Sequence, residues 1–292
     1  MRAIWLIGAA IAVIGAAPAK KLAPGEIVAA AASSEWKSIA AHDLLVIDLA
    51  PGKRIVLQLA PKFAPVHVSN IRALAKSGYW AGASVYRVQD NYVAQWGNNE
   101  SEKPWPTGVD PTPPKEYQRR LKGLRVKPLG FADSYAPAAG FVDGWPIAYS
   151  PKRGWATLAH CYSTVGAGRG MEDSGSGGEL YAIIGHATRH MDRNLAIVGR
   201  VIEGIDLLSS LPRGTEALGF YKEKSAFVPI ASVRLASDMP AAERPSFEVM
   251  DTNSRSFAHY VRVRGHRDDD FYRVSAKGTD LCNVQVPIRR KG

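Results

Sequence analysis

A chain of 292 residues, 46% hydrophobic and 22% charged, is long enough to bury one good core and has an ordinary globular composition, which excludes wholesale disorder. The formal net charge of +10 is distinctly basic, yet the basic residues are scattered, and the densest runs, at 117–127 and 289–291, lack an RNA-binding motif or regular aromatic interleaving. Nucleic acid is therefore not an expected partner. With only Cys161 and Cys282 present, a disulfide framework and a four-cysteine zinc site are both excluded.

In chain order, Met1-Arg2 is followed by the uncharged run AIWLIGAAIAVIGAA and by Ala17-Pro18-Ala19. This pattern predicts a cleavable signal peptide at 1–19, a mature start near Lys20 and a soluble, exported, periplasmic protein. An uncleaved N-terminal anchor is the alternative, although the run is short for a span of roughly 20 residues. No later segment approaches spanning length. In an oxidising compartment the two cysteines either pair or, as the apolar strand before Cys161 favours, that residue stays a buried free thiol.

Ala-rich residues 20–42 read as a linker. DLLVIDL (43–49) and KRIVLQLA (53–60) read as a hairpin across Pro51-Gly52. APVHVSNIRALAKSG predicts a helix, with Pro65 in the first turn, Val68, Ile71, Leu74 and Ala75 on one face, and Gly78 as terminator. VYRVQDNYVAQWG (85–97) predicts a second hairpin. Residues 103–154 are rich in Pro, Gly and charge without sustained periodicity, and read as a loop insertion. Strands are expected at WATLAHC, ELYAII and LAIVGRVI. A short helix follows over 203–211 with Leu207, Leu208 and Leu211 inward, and FVPIASVRLA closes the apolar pattern near Ala236. The polar tail 237–292 reads as added strands or a small satellite module. Many regularly spaced strands, two helices and Gly/Pro turns argue for a mainly β protein, an antiparallel barrel with helical caps.

Several chemistries fail on spacing. Gly166, Gly168 and Gly170 do not make GxGxxG and no Lys-Ser/Thr follows them. His186 and His190 stand four apart, but without HExxH and in a segment joining two strands, so no metal is expected. There is no GxSxG elbow, and Glu172-Asp173 read as surface. No cofactor is implied.

Arg87 is different, a lone cation in an apolar and aromatic hairpin. If the turn centres on Asn91, Arg87 and Gln95 stand opposite each other, and the Gln95 amide oxygen is placed to accept from the guanidinium. Tyr92 and Val93 add an aromatic and an apolar surface at the turn exit. A fixed cation, a steering amide and an apolar wall suit a neutral peptide group and need no nucleophile.

APVHVSNIRAL followed by VYRVQDNYVAQWGN resembles the cyclophilin-type peptidyl-prolyl isomerases, with weaker support from GWATLAHC, GGELYAII and MDRNLAIVGRVIEGIDLL. The resemblance runs from about Leu45 to Ala236, interrupted by the insertion at 103–154. It implies a closed eight-stranded antiparallel barrel capped by two helices over 43–236, and catalysed cis-trans rotation of X-Pro bonds in unfolded or exported proteins by a monomer. It also implies roles. Arg87, Gln95 and Tyr92 match catalytic positions. Val93 belongs to the hydrophobic wall, Ala159 and His160 match an Ala-Asn pair on the substrate backbone, and Tyr181 lies in the proline pocket, with Glu179, Met191 and Leu195 at further substrate positions. Glu179, His160 and Leu195 replace a usual Gln, Asn and His, and no Trp stands at 189–191, which bears on cyclosporin binding and substrate preference. A non-catalytic module that grips proline-containing segments is the alternative.

Overall fold

The computed structural model describes residues 21–49, 52–98, 103–186, 188–267, 269 and 271–291; the signal-peptide and anchor readings of 1–19 lie outside them. In chain order the elements are α1 (Pro24–Ala29), β1 (Trp36–Ser38), β2 (Leu44–Leu49), β3 (Arg54–Leu59), α2 (Pro65–Lys76), β4 (Ser84–Val88) and β5 (Val93–Gly97). Then come β6 (Arg119–Arg120), β7 (Lys127–Pro128), β8 (Ala138–Val142), β9 (Trp145–Ser150) and β10 (Trp155–Leu158). They are followed by β11 (Thr164–Ala167), β12 (Leu180–Ile183), β13 (Ile197–Glu203), α3 (Ile205–Ser209) and β14 (Val228–Leu235), and finally β15 (Phe247–Met250), α4 (Arg255–Gly265) and β16 (Ile288–Arg290).

Eight strands close an antiparallel barrel in the order β11-β12-β5-β4-β14-β2-β3-β13. The run LLVIDL is apolar at successive positions because both faces of β2 are covered. Leu45, Ile47 and Leu49 fill the barrel, whereas Leu44 and Val46 join a second core on its outside. Continuous rather than alternating apolarity is what a strand buried on both sides requires. Helix α2 plugs the barrel with Val68, Ile71, Leu74 and Ala75. It starts on Pro65, and the chain leaves it through Gly78 at φ 68°, a left-handed position suited to glycine. Helix α3 is shorter than the expected 203–211 and buries Leu208, with Leu207 and Leu211 packed against the core.

The insertion departs from the loop reading. Its strands β6 to β9 join β10 in a five-stranded sheet, β6-β10-β9-β8-β7. Its centre is a hairpin whose two-residue turn, Asp143-Gly144, has φ of 49° and 84°, the positive pair that Asp-Gly supports. The two terminal segments are also folded together. β1, β15 and β16 form a three-stranded sheet, and α4 contributes Phe257, Tyr260 and Val261 to the outer core together with Ile27 of α1. Among the described residues no helix is long and apolar enough to cross a membrane.

Cys161 and Cys282 are disulfide-bonded, with Cα atoms 5.1 Å apart, which corrects the free-thiol reading. Cys282 reaches Cys161 because the C-terminal extension packs on the barrel exterior, a proximity that sequence spacing does not encode. The bridge spans 121 residues, so it restricts the unfolded chain strongly. Replacing both cysteines by serine is expected to lower unfolding free energy by about 2–5 kcal/mol. A urea midpoint equal to that of the unaltered protein would show that the tie carries no stability.

Candidate active site

The β4–β5 hairpin turns through Asn91 at φ 51°, a left-handed conformation that asparagine tolerates. Its register sets Arg87 opposite Gln95. The guanidinium is half-buried and is held on three sides. Nη1 donates to Gln95 Oε1 at 2.9 Å, Nη2 to Gln89 Oε1 at 2.6 Å, and Nε to the Leu218 carbonyl at 2.7 Å. The Phe220 ring lies under it at 5.3 Å. All three acceptors are neutral, and among the described residues no carboxylate pairs with Arg87. Of five N–H donors two remain, one on each Nη nitrogen. Burial pulls its pKa below the usual value, but an arginine stays charged at neutral pH.

A bulge prepares the other side of Gln95. Between Val85 and Arg87 the ladder slips by one residue, leaving Tyr86 unpaired. Simple alternation would send Tyr86 and Arg87 to opposite faces; the bulge lets both reach the same amide. Gln95 Nε2 donates to the Tyr86 hydroxyl at 2.6 Å, and that hydroxyl donates to Glu179 Oε2 at 2.6 Å. The chain of donors has one polarity. The Glu179 carboxylate takes the tyrosine hydrogen, the tyrosine oxygen takes the amide hydrogen, and the Gln95 carbonyl is left facing Arg87. Burial pushes the Glu179 carboxyl up to about 7, and burial, with Glu179 nearby, raises the Tyr86 phenol as well. Gly97 makes room for that carboxyl, since a Cβ there would stand 2.1 Å from its oxygen.

Alongside lies an apolar cluster of Val93, Tyr181, Ile183 and Met191, with Tyr92 and Leu195 packed against it. Tyr181 is the cross-strand neighbour of Gln95. The Tyr92 hydroxyl donates to the Met191 sulfur at 2.9 Å, and its ring stacks on His190. The structure thus assembles Arg87, Gln95, Tyr92, Val93, Tyr181, Met191 and Leu195, and connects Glu179 through Tyr86.

Ala159 and His160 stand elsewhere than expected. The segment WATL is β10, which pairs with β9 and β6 in the insertion sheet. The barrel strand beside β12 is β11, with Gly166 opposite Tyr181. The backbone flanking Tyr181 and Gln95 is therefore Gly166–Gly168, and a Cβ on Gly168 would lie 3.4 Å from Gln95 Nε2. Ala159 packs into the outer core. His160 is buried, so that its imidazole pKa is lowered despite the hydrogen bond to Asp192. Neutral, it donates from Nδ1 to Asp192 at 3.0 Å and accepts at Nε2 from the Tyr181 hydroxyl at 3.1 Å. It positions the Tyr181 ring and makes no pair with Glu179. Asp192 is in turn bound by Arg189, whose guanidinium also donates twice to Asp133, both at 2.9 Å.

Against this geometry, the family described as cyclophilin type peptidyl-prolyl cis-trans isomerase/CLD matches residues 45–235. The chain belongs to that family. A Brucella suis biovar 1 protein named "Probable peptidyl-prolyl cis-trans isomerase" is 21% identical over 176 residues, 60% of this chain and 74% of its own. A Brucella abortus protein of the same name is 20% identical over the same shares. The crystal structure of cyclophilin AquaCyp293 from Hirschia baltica superposes with a TM-score of 0.69 at 21% identity, covering 92% of this chain and 98% of that one. The likeness extends over 92% of this chain, more than the 45–235 that the family matches.

Sequence reasoning missed Tyr86, Gln89, Leu218 and Phe220. Tyr86 lay inside the stretch that drew attention to Arg87, but only the bulge makes it a partner. The segment around Leu218 meets β4 through the isolated bridge of Arg87 with Phe220, 133 positions apart in sequence.

Proposed function

We propose that this cyclophilin accelerates X-Pro rotation in exported proteins, with Arg87 stabilising the twisted transition state. The observation that carries the proposal is a half-buried arginine that is oriented by three neutral acceptors, is unpaired with any carboxylate among the described residues, and still has two N–H groups to give. In the planar imide the nitrogen lone pair is delocalised and accepts poorly, and the rotation barrier is about 20 kcal/mol. As the bond twists, the prolyl nitrogen becomes pyramidal and regains its lone pair. A hydrogen bond from Arg87 is then stronger in the transition state than in either ground state, so it raises kcat. The Val93–Tyr181–Met191 cluster holds the ring, while Gln95 and the backbone at 166–168 orient the rotating carbonyl. Export is part of the same reading, supported by the uncharged run at 3–17 and by the Cys161–Cys282 bridge, which suits an oxidising compartment. A protease-coupled assay on a proline peptide, run beside unfolded-client binding, tests the reading. Catalysed exchange reduced about 10²-fold in Arg87→Ala supports it, and client binding without turnover in the unaltered protein would favour the non-catalytic module.

The polarity of the Glu179 chain gives the activity a pH dependence. Above about 7 the carboxylate enforces the Gln95 orientation. Once protonated, Glu179 can donate to Tyr86, which lets the tyrosine donate to Gln95 instead and turns the NH₂ toward Arg87. Tyr79, Asn98 and, through Gln95, Arg87 complete the surroundings of that carboxyl. We expect kcat/KM to fall by up to about tenfold from pH 8 to pH 6, following the ionised fraction of a group with a pKa of about 7. Glu179→Gln, whose amide oxygen still accepts the tyrosine hydrogen, should give a flat profile. Stability runs oppositely. The folded pKa lies above the ordinary 4.5, so the stabilising contribution of the bound proton is complete below 4.5 and disappears as pH rises through about 7. The melting temperature should therefore drop between pH 6 and pH 8 more in the unaltered protein than in Glu179→Gln. Identical pH profiles for both proteins would remove Glu179 from the account.

A further inference from the structure

Away from Arg87, a cavity of about 560 Å³ opens where β11 and β13, the insertion and the two terminal segments meet. Its volume falls within the range of about 300–1,000 Å³ typical of small-molecule sites. Trp145, Leu158, Val201, Tyr260 and Val284 make much of its wall apolar, yet Arg200 and Arg264 also line it. Among the described residues no aspartate or glutamate does.

Arg200 is only 8% exposed. Its Nε and Nη2 donate to Gln58 Oε1 at 3.0 and 2.7 Å, and Nη1 donates to the Gly144 carbonyl at 2.8 Å. Its face lies 4.3 Å from the Trp145 ring centre. Each Nη nitrogen keeps one N–H that none of these hydrogen bonds takes. Arg264 is half-buried and, among the described residues, donates to the Asn283 carbonyl. Arg189, buried in the same fold, is met by two carboxylates, Asp133 and Asp192. A buried cation without a counter-charge is costly, and burial accordingly depresses the Arg200 pKa.

We propose that this cavity binds an amphiphilic carboxylate of fatty-acid type. The head accepts from an Nη N–H that Arg200 has left and from Arg264, and the alkyl chain lies along the apolar wall. Such a ligand supplies the missing negative charge and buries hydrocarbon against the seam that the Cys161–Cys282 bridge holds.

The test is calorimetric titration of the full chain with decanoate and, in parallel, with 1-decanol. Decanoate should bind at one site per chain with a micromolar Kd, and 1-decanol at least about tenfold more weakly. Arg200→Met should weaken decanoate binding at least about tenfold. Should that variant fail to fold, Arg264→Gln, a half-buried position, is expected to weaken binding in the same direction. Arg87→Ala should bind decanoate as the unaltered protein does. The proposal is overturned if 1-decanol binds as tightly as decanoate, if decanoate gives no saturable binding up to millimolar concentration, if Arg264→Gln keeps full affinity, or if decanoate competes with a proline peptide at the Arg87 site.

Discussion

Arg87→Ala is expected to reduce kcat by about 10²-fold while leaving KM close to its original value and the fold intact. A hydrogen bond involving a charged group contributes about 1.5–3 kcal/mol, and each 1.36 kcal/mol is tenfold in rate, so removing the bond alone gives one to two decades. KM should hold because the interaction forms mainly after the imide has begun to twist. The fold should hold because the guanidinium is only half-buried and its protein partners, Gln95, Gln89 and the Leu218 carbonyl, lie where water can replace it. Arg87→Lys should rescue little. An ammonium has three donors on one atom, and meeting the three neutral acceptors would leave none for the substrate. A circular-dichroism melt establishes folding, and single-turnover exchange separates kcat from KM. A rise in KM with kcat unchanged would mean that Arg87 binds substrate and transition state equally.

A large stability effect is expected at Asp133, which lies in the insertion and not in the family barrel. Asp133→Ala leaves two guanidinium N–H groups of Arg189 unmet at a position only 2% exposed. Breaking one side of a buried ion pair costs about 3–5 kcal/mol, and the lower end applies because Asp192 still holds Nε. The urea midpoint should fall without a change in slope. Activity should fall as well, for a specific reason. Arg189 sits in the turn Thr188–Met191, so its release loosens Met191 and the Tyr92 hydroxyl bound to it. Asp192, still bound to the loosened Arg189, also holds His160 and through it the Tyr181 hydroxyl. A variant with the original midpoint and activity would show that the insertion does not brace the pocket.

These two residues illustrate how differently the parts of the molecule were legible. The Arg87–Gln95 pairing follows from period-two geometry about Asn91, and the structure has that register. The α2 helix was readable for the same local reason, since proline, apolar spacing and glycine all agree within fifteen residues. Asp133 and Arg189 are 56 residues apart, and no spacing announces that they meet. The loop reading of 103–154 failed because proline and glycine density outweighed a local signal that was present, Asp143-Gly144 between two apolar runs. Ala159 and His160 were misplaced because WATL and TVGA are both four-residue strands of similar composition; only pairing partners tell the insertion strand from the barrel strand. Tyr86 was hidden by the bulge, and Cys161–Cys282 by the folding of the tail onto the barrel.

One measurement bears most directly on the role of Arg87. Cis-trans exchange in a short X-Pro peptide, followed by two-dimensional NMR exchange spectroscopy, needs no coupling protease and detects rotation itself. Uncatalysed, it takes tens of seconds or longer. With a catalytic amount of the unaltered protein, exchange cross-peaks should appear at millisecond mixing times, and with Arg87→Ala at the same concentration they should be lost. Equal cross-peak build-up for the two proteins would contradict the account.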